Sequence, residues 1–174
     1  MLSASILFTL EAMRDRNLLR PPGAGPEHLF ISRCIRCARC VEVCPYGSIK
    51  IARLLDGLSA TGTPVIKPRG MPCYLCMKCP AVCPSGALDR RVRSRREVRM
   101  GIAQVKKQDC LAWQNTICRS CYQSCPIFDE AITLDGALRP VVDEKKCVGC
   151  GICEHVCPVE PSAITVKSGG RRWG

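Results

Sequence analysis

Aromatic residues are scarce in this chain. Its 174 residues include only two Trp, three Tyr and three Phe, a thin supply for a hydrophobic core. Histidine is also rare, with two residues, and the sequence contains no Gly-rich phosphate loop, no Ser–His–Asp set and no carboxylate pair at ligand spacing. These absences exclude the usual signatures of nucleotide binding and triad hydrolysis. We therefore expect no substrate chemistry, and we expect groups other than aromatic rings to fill the core.

Long hydrophobic runs are absent as well. Residues 1–10 are apolar, but Glu11 and Arg14 interrupt the run, and a helix that spans a bilayer needs about 20 residues. The segment lacks the positive first region that is typical of a signal peptide. The pattern favours a docking helix or the remnant of a longer hydrophobic segment, followed by a Pro- and Gly-rich linker up to residue 26.

Cysteine, in contrast, is abundant and ordered. Sixteen cysteines form four quartets with none left over. Three quartets have the spacing C-x2-C-x2-C-x3-C followed by proline, namely Cys34, Cys37, Cys40 and Cys44; Cys73, Cys76, Cys79 and Cys83; and Cys147, Cys150, Cys153 and Cys157. The remaining quartet stretches the first interval to seven residues, namely Cys110, Cys118, Cys121 and Cys125. This run is the ligand signature of bacterial [4Fe–4S] ferredoxins, so the sequence predicts four [4Fe–4S] clusters and electron transfer.

Two other uses of cysteine fit the pattern less well. Disulfide frameworks have irregular spacings, whereas these quartets repeat a single template. Zinc sites use paired C-x2-C knuckles separated by a longer loop, and the third and fourth cysteines here do not follow that arrangement.

The fourth cysteine of each motif is expected to start a helix, to point away from its own loop and to bind the cluster of a second motif. Because elements adjacent in the chain usually pack together, we predict that motif one pairs with motif two and motif three with motif four. The predicted ligand sets are Cys34, Cys37, Cys40 and Cys83 for cluster 1; Cys73, Cys76, Cys79 and Cys44 for cluster 2; Cys110, Cys118, Cys121 and Cys157 for cluster 3; and Cys147, Cys150, Cys153 and Cys125 for cluster 4. A nested pairing of one with four and two with three, as in the iron–sulfur subunits of molybdenum oxidoreductases, is the alternative.

The stretched third motif leaves one ligand open. We expect Cys110 to bind cluster 3 across a longer loop, because the count of four thiolates per cluster then holds. If it does not, the neighbouring Asp109 is the substitute, or the cluster is a three-iron form. Trp113, inside the insertion, is expected to shield the cluster from water.

Short apolar runs with strand character flank the motifs. In the second half they cover residues 101–105, 131–134, 139–142 and 163–166, and in the first half residues 28–31, 48–51, 65–66 and 87–88. We predict an α+β fold of two bacterial-ferredoxin-like modules with short strands and helices packed around two clusters each. The expected divisions are an N-terminal segment and linker at 1–26, a first module at 27–90, an Arg-rich linker at 91–100, a second module at 101–168 and a tail at 169–174.

Bound clusters would cancel most of the positive charge of this chain. Four clusters with their thiolates contribute about −8, so the formal charge of +11 falls to about +3 in the assembled protein. One basic run still stands out, formed by Arg90, Arg91, Arg93, Arg95, Arg96 and Arg99. It is either a solvated linker or a docking patch for an acidic redox partner or anionic lipid. No aromatic residues interleave with these arginines, so nucleic-acid binding is not expected.

Several stretches outside the bare cysteine spacing resemble the MauM/NapG-type ferredoxins. They are Arg20-Pro21-Pro22-Gly23-Ala24, Cys34-Ile35-Arg36-Cys37, Val43-Cys44-Pro45-Tyr46, Gly57-Leu58-Ser59-Ala60, Cys83-Pro84-Ser85-Gly86-Ala87-Leu88-Asp89-Arg90, Cys121-Tyr122 and Asp129-Glu130-Ala131-Ile132-Thr133-Leu134. The resemblance covers about residues 20–166. It implies an electron-transfer subunit that is not an enzyme by itself and that works in an oxidoreductase complex.

The resemblance also implies partners and a location. Such proteins work beside a membrane-bound iron–sulfur quinol dehydrogenase subunit and pass electrons to c-type cytochromes and a terminal reductase, or serve methylamine utilisation. The family usually carries a twin-arginine export signal, which this sequence does not show. We therefore expect a membrane-associated protein on the periplasmic side, or a cytoplasmic one if the absence of that signal is real.

Two alternative functions remain open from the residues. A free cytoplasmic polyferredoxin uses the same chemistry without a membrane complex. An iron–sulfur regulatory or maturation module would need at least one labile, exposed cluster whose loss changes binding to a partner.

Overall fold

Five short helices and six short strands follow one another in the described part of the chain. The computed structural model describes residues 18–169, so the predicted N-terminal docking helix and most of the predicted tail lie outside the described residues. The helices are α1 (Glu27–Arg33), α2 (Arg39–Glu42), α3 (Lys78–Ala81), α4 (Ser120–Gln123) and α5 (Ile152–His155). The strands are β1 (Ile49–Ile51), β2 (Pro64–Ile66), β3 (Gly101–Val105), β4 (Ile132–Leu134), β5 (Pro140–Val142) and β6 (Ile164–Ser168). This mixture is the predicted α+β fold.

Helix α1 corrects one expectation, because residues 28–31 form helix rather than strand. Pro26 precedes the helix and Glu27 lies in its first turn, where a negative charge favours the helix dipole. The N–H of Phe30 donates to the Pro26 carbonyl at 2.9 Å, and the N–H of Cys34 donates to the Phe30 carbonyl at 2.9 Å. Phe30 is the one buried residue of this helix. The apolar residues 28–31 therefore do not follow the alternating burial of a strand.

Helices α2 to α5 repeat once per cysteine motif, and each carries the third cysteine of its motif, which is Cys40, Cys79, Cys121 or Cys153. The fourth cysteine lies just after the end of each helix, rather than at its start as predicted. This placement still directs the fourth thiol away from its own loop. The proline that follows has no N–H to donate, which suits a position where the helix has ended.

Three antiparallel two-stranded sheets frame the helices. Strand β1 pairs with β2, with Ile49 opposite Ile66, and β4 pairs with β5, with Ile132 opposite Val142. Strand β3 pairs with β6 from Gly101 opposite Ser168 to Val105 opposite Ile164. In the first half the corresponding outer pairing is one bridge between Ala24 and Leu88, so the strand expected at residues 87–88 is reduced to a single pair.

One buried core runs through both halves of the chain. It includes Phe30 and Leu88 from the first half and Ile132 and Ile164 from the second, together with many of the cysteines. The Arg-rich segment is anchored to the same core through buried Val98 and neighbouring apolar residues. Among residues 18–169, no helix has the length and apolar character needed to cross a membrane.

Candidate iron–sulfur sites

The cysteine loops share an unusual backbone conformation just before their helices. Ala38, Met77 and Gly151 occupy the same place in motifs one, two and four, and their φ angles are 59°, 56° and 82°. A left-handed residue reverses the direction of the chain. The reversal lets three thiols of one loop face a common point. The stretched motif lacks this device, since Arg119 before α4 has a φ of −128°.

The thiols of three predicted ligand sets line three cavities. One cavity is lined by Cys125, Cys147, Cys150 and Cys153, the set predicted for cluster 4. A second is lined by Cys110, Cys118, Cys121 and Cys157, the set predicted for cluster 3. A third is lined by Cys44, Cys73, Cys76 and Cys79, the set predicted for cluster 2. In each case three thiols of one motif meet the fourth thiol of its neighbour.

The set predicted for cluster 1 is brought together in the same way. Burial, with the nearby thiols of Cys34, Cys37 and Cys83, raises the pKa of Cys40 to about 11. Four thiols that perturb one another electrostatically are close in space. The four groups of thiols are those expected when motif one pairs with motif two and motif three with motif four. That these thiols bind the iron of the clusters stays a prediction.

The arrangement of the thiols suits an extended cluster. All sixteen cysteines are free thiols in the structure. A single zinc ion needs its ligands within about 2.0–2.3 Å of one point, and within the described residues no three His, Cys, Asp or Glu side chains are placed to hold a single ion. The thiols instead surround cavities with apolar walls, and four thiolates around such a space are the donor set of a [4Fe–4S] cluster.

Burial keeps the inner thiols protonated when nothing is bound. It raises the pKa of Cys73 and of Cys121 to about 11 and that of Cys150 to about 12. It also raises the pKa of Cys79 and Cys153 well above the ordinary value, with neighbouring thiols adding to the effect. Because the thiolate is the iron ligand, the positive charge of bound iron must compensate for this cost.

The fourth cysteines have a different environment. Burial raises the pKa of Cys44, Cys83 and Cys157, but hydrogen bonds from backbone N–H groups and a serine hydroxyl outweigh burial and lower each below the ordinary value. The hydroxyls belong to Ser48, Ser85 and Ser162. In contrast, burial raises the pKa of Cys125, whose main hydrogen bond is from the Ile127 backbone. Hydrogen bonds to ligand sulfur are one of the means by which a protein tunes a cluster.

The stretched motif closes on its cavity through the first cysteine. Its insertion forms a 3₁₀ turn over Leu111–Gln114 that ends at Asn115 in the left-handed conformation. Cys110, and not Asp109, lines the cavity of cluster 3. The ring of Trp113 lies between two cations, 4.2 Å from Lys107 Nζ and 4.4 Å from Arg139 Cζ. That Trp113 shields the cluster from water stays a prediction.

The Arg-rich run is partly occupied by contacts within the chain. Arg90 donates to the Cys83 carbonyl at 2.9 Å, Arg91 pairs with Asp89, and Arg96 pairs with Glu130 of the second half. Arg99 donates to the carbonyl of Val98 at 2.7 Å. The remaining two arginines of the run, Arg93 and Arg95, are exposed. The side chains of Arg91 and Arg96 stay exposed despite their ion pairs, and docking of a partner through this run stays a prediction.

Two arginines outside the run were missed by the sequence reasoning. Arg20 is buried, donates to Thr63 Oγ1 and the Pro64 carbonyl at 2.8 Å each, and lies 4.7 Å from the centre of the Phe30 ring. Arg69 connects the two halves of the chain. No signal in the cysteine spacing marks either residue, because both act through partners that are distant in sequence.

Comparison with known proteins agrees with this geometry. Residues 33–87 match a 4Fe-4S dicluster domain, and residues 103–166 match a second 4Fe-4S dicluster domain. The chain is 47% identical over 161 residues to the ferredoxin-type protein NapG of Escherichia coli, covering 85% of this chain and 69% of the relative. It is 41% identical over 162 residues to the methylamine utilization ferredoxin-type protein MauM of Paracoccus denitrificans, covering 87% and 72%.

A third relative, the ferredoxin-type protein NapF of Escherichia coli, is 32% identical over 155 residues, covering 87% of this chain and 85% of the relative. Two dicluster domains account for four clusters and for all sixteen cysteines. The chain therefore belongs to the NapG and MauM family of ferredoxin-type electron-transfer proteins, with four [4Fe–4S] clusters in two dicluster domains.

Proposed function

We propose that this chain relays single electrons as a subunit of a membrane-associated respiratory complex that oxidises quinol and feeds a terminal reductase or a c-type cytochrome. The observation that carries the proposal is the use of every cysteine in one of four thiol sets. A bound [4Fe–4S] cluster supplies reversible one-electron transfer. The chain is thus the electron-carrying subunit, and catalysis belongs to its partners.

We assign the ligands as the structure groups the thiols. Cys34, Cys37, Cys40 and Cys83 hold cluster 1; Cys44, Cys73, Cys76 and Cys79 hold cluster 2; Cys110, Cys118, Cys121 and Cys157 hold cluster 3; and Cys125, Cys147, Cys150 and Cys153 hold cluster 4. The protein's own contribution is to exclude water with apolar walls and to donate hydrogen bonds to ligand sulfur, as the Leu88 N–H does to Cys83 Sγ at 3.4 Å.

The partners we propose are a membrane-bound iron–sulfur quinol dehydrogenase subunit on one side and a c-type cytochrome or reductase on the other. The similarity to NapG and MauM supports this choice. Exposed Arg93 and Arg95 are available for docking to an acidic partner. We place the working protein on the periplasmic side of the membrane, in accordance with the family resemblance.

The test is reduction of the iron-loaded chain by membranes of the cells that make it. Membranes whose quinone pool has been reduced should bleach the visible absorption of the chain, and the same membranes extracted to remove quinones should not. Adding quinone back should restore the bleaching. Equal reduction by extracted and intact membranes would contradict the quinol step and favour a free polyferredoxin.

A further inference from the structure

The two halves of the protein meet at a contact that involves one cysteine from each. The Cys73 N–H donates to the Cys150 carbonyl at 2.9 Å. The thiol of Cys73 also contributes to raising the pKa of Cys150, after burial and the thiols of its own set. Cys73 belongs to the set of cluster 2 and Cys150 to that of cluster 4. The loops that hold these two clusters are therefore in direct contact across the halves.

Within each half, the two clusters meet through a pair of helices. Helix α2 packs against α3, which brings Cys40 of cluster 1 close to Cys79 of cluster 2. Helix α4 packs against α5, which brings Cys121 of cluster 3 close to Cys153 of cluster 4. The three contacts connect the clusters in the spatial order 1, 2, 4, 3, which differs from their order in the sequence.

Arg69 joins the halves next to this contact. It follows β2 in the first half and donates to the carbonyl oxygens of Glu154 at 3.0 Å, Cys157 at 2.8 Å and Val159 at 3.2 Å. It also pairs with the carboxylate of Glu160. The Arg69 carbonyl oxygen lies 3.1 Å from His155 Nδ1 and accepts a hydrogen bond from the tautomer that carries its proton on Nδ1. The planar guanidinium thus donates several hydrogen bonds to the carbonyl oxygens at and after the end of α5, which would otherwise lack partners within the helix. A lysine ammonium does not have this planar arrangement of donors.

Gly151 makes the close approach possible. A Cβ built on Gly151 would lie 2.4 Å from Pro68 Cβ, closer than two carbon atoms can pack. Its left-handed backbone does not require glycine, because Ala38 and Met77 hold that conformation at the same place in their motifs. The glycine is therefore explained by the contact with the first half and not by its φ angle.

We propose that Arg69 and Gly151 position the two halves so that electrons cross between them where the Cys73 loop meets the Cys150 loop, which makes clusters 1 and 3 the two ends of the path. Each crossing oxidises the donor site by one electron and reduces the acceptor site by one, with no bond formed and no proton moved. The inference rests on the proposed electron-relay function, and it adds which sites are internal and which are terminal.

The order can be tested on the iron-loaded protein by reducing it with dithionite and recording magnetic interactions between reduced clusters by EPR. Cys37 and Cys76 hold the same place in motifs one and two, and both are exposed. Cys37→Ser, which disturbs cluster 1, should keep the interaction between the halves. Cys76→Ser, which disturbs cluster 2, should abolish it. The reverse pattern, or an interaction retained in both variants, would overturn the order.

The positioning role is tested with all sixteen ligands in place. Arg69→Gln and Gly151→Ala should weaken the interaction between the halves while the iron content and the interactions within each half stay unchanged. Arg91→Gln removes an exposed ion pair of the first half, and Gly86→Ala alters a glycine at φ +71° with no atom within 4 Å; neither should change the interaction. Equal effects in the controls, or no effect at Arg69 and Gly151, would overturn the assignment.

These results are independent of the proposed respiratory role. A failure of quinol to reduce the chain would leave the magnetic order as measured. An iron-loaded protein with strong interactions within each half but none between the halves would refute the crossing point and leave the four clusters intact.

Discussion

At the scale of single residues, the same backbone position has different occupants for physical reasons. The second variable residue of motifs one, two and four is Arg36, Leu75 and Gly149, and all three have a positive φ. Gly149 is pressed against the backbone of another segment, since a Cβ there would lie 2.3 Å from the Gly101 nitrogen. The close approach of Gly101 therefore explains the glycine in motif four, whereas Arg36 reaches its neighbouring segment through its side chain, which donates to the Thr61 carbonyl at 2.9 Å.

Hydroxyl groups near the fourth cysteines give a residue-scale prediction. Ser85 Oγ lies 3.7 Å from Cys83 Sγ and can donate to the thiolate. A hydrogen bond to ligand sulfur stabilises the more negative, reduced cluster, so Ser85→Ala should make the reduction potential of cluster 1 more negative. A bond worth about 1 kcal/mol would shift a one-electron potential by about 40 mV.

The measurement is an EPR-monitored redox titration of the iron-loaded variant. Ser59→Ala, at an exposed loop position of the same half, is the control and should leave all four potentials unchanged. A Ser85→Ala potential that is unchanged or more positive would argue against tuning by this hydroxyl.

At the scale of elements, the pairing of β3 with β6 depends on the first residue of β3. A Cβ on Gly101 would lie 2.3 Å from the Lys167 carbonyl oxygen, and that atom belongs to the backbone of the partner strand. Gly101→Ala should therefore open the sheet and destabilise the iron-loaded protein by about 1–3 kcal/mol, seen as a fall in Tm of several degrees. Gly136→Ala, where no atom lies within 4 Å, should change the Tm much less. Similar Tm values for both variants would show that the strand ends tolerate a methyl group.

The sequence predicted all six strands of the described residues but not every element. Apolar runs bounded by turn residues predicted β1, β2, β3, β4, β5 and β6 within a few residues. It missed α1, because residues 28–31 are all apolar or aromatic apart from His28 and gave no periodicity. Pro26 followed by Glu27 was the available signal of a helix start. Four-residue helices such as α2 are too short for any periodic pattern to reveal them.

At the scale of the whole molecule, spacing grouped the thiols but could not show how the halves face each other. Linear pairing follows from the packing of neighbouring motifs, and the cavities group the same thiols. The contact through Arg69 joins residues that are 85 or more positions apart in sequence. Such contacts depend on surface complementarity between folded halves, which a single sequence does not encode in any local pattern.

The same scale shows why the fold should depend on its clusters. Within residues 18–169, four of the five helices have four residues each, far below the roughly 12–15 residues that an isolated helix needs in water. The sheets have two strands each, and isolated two-stranded sheets are marginal. Removing the clusters would leave buried thiols facing one another across apolar-walled spaces with nothing to hold them together. We therefore expect folding to be coupled to cluster insertion.

Coupled folding makes a prediction about pH that separates two routes of assembly. Iron binds the thiolate, so insertion becomes faster as pH rises through the pKa of the accepting thiols. In an unfolded cluster-free chain those thiols ionise near pH 8.5, whereas in the fold burial raises the pKa of Cys40, Cys73 and Cys121 to about 11 and that of Cys150 to about 12. Insertion of iron and sulfide should therefore accelerate between about pH 7 and 9 and then level off.

Visible absorption would follow insertion, and circular dichroism of the cluster-free chain at each pH would control for its folding. A rate that still rises steeply above about pH 10, together with a cooperative melt of the cluster-free chain, would mean that iron enters a preformed fold.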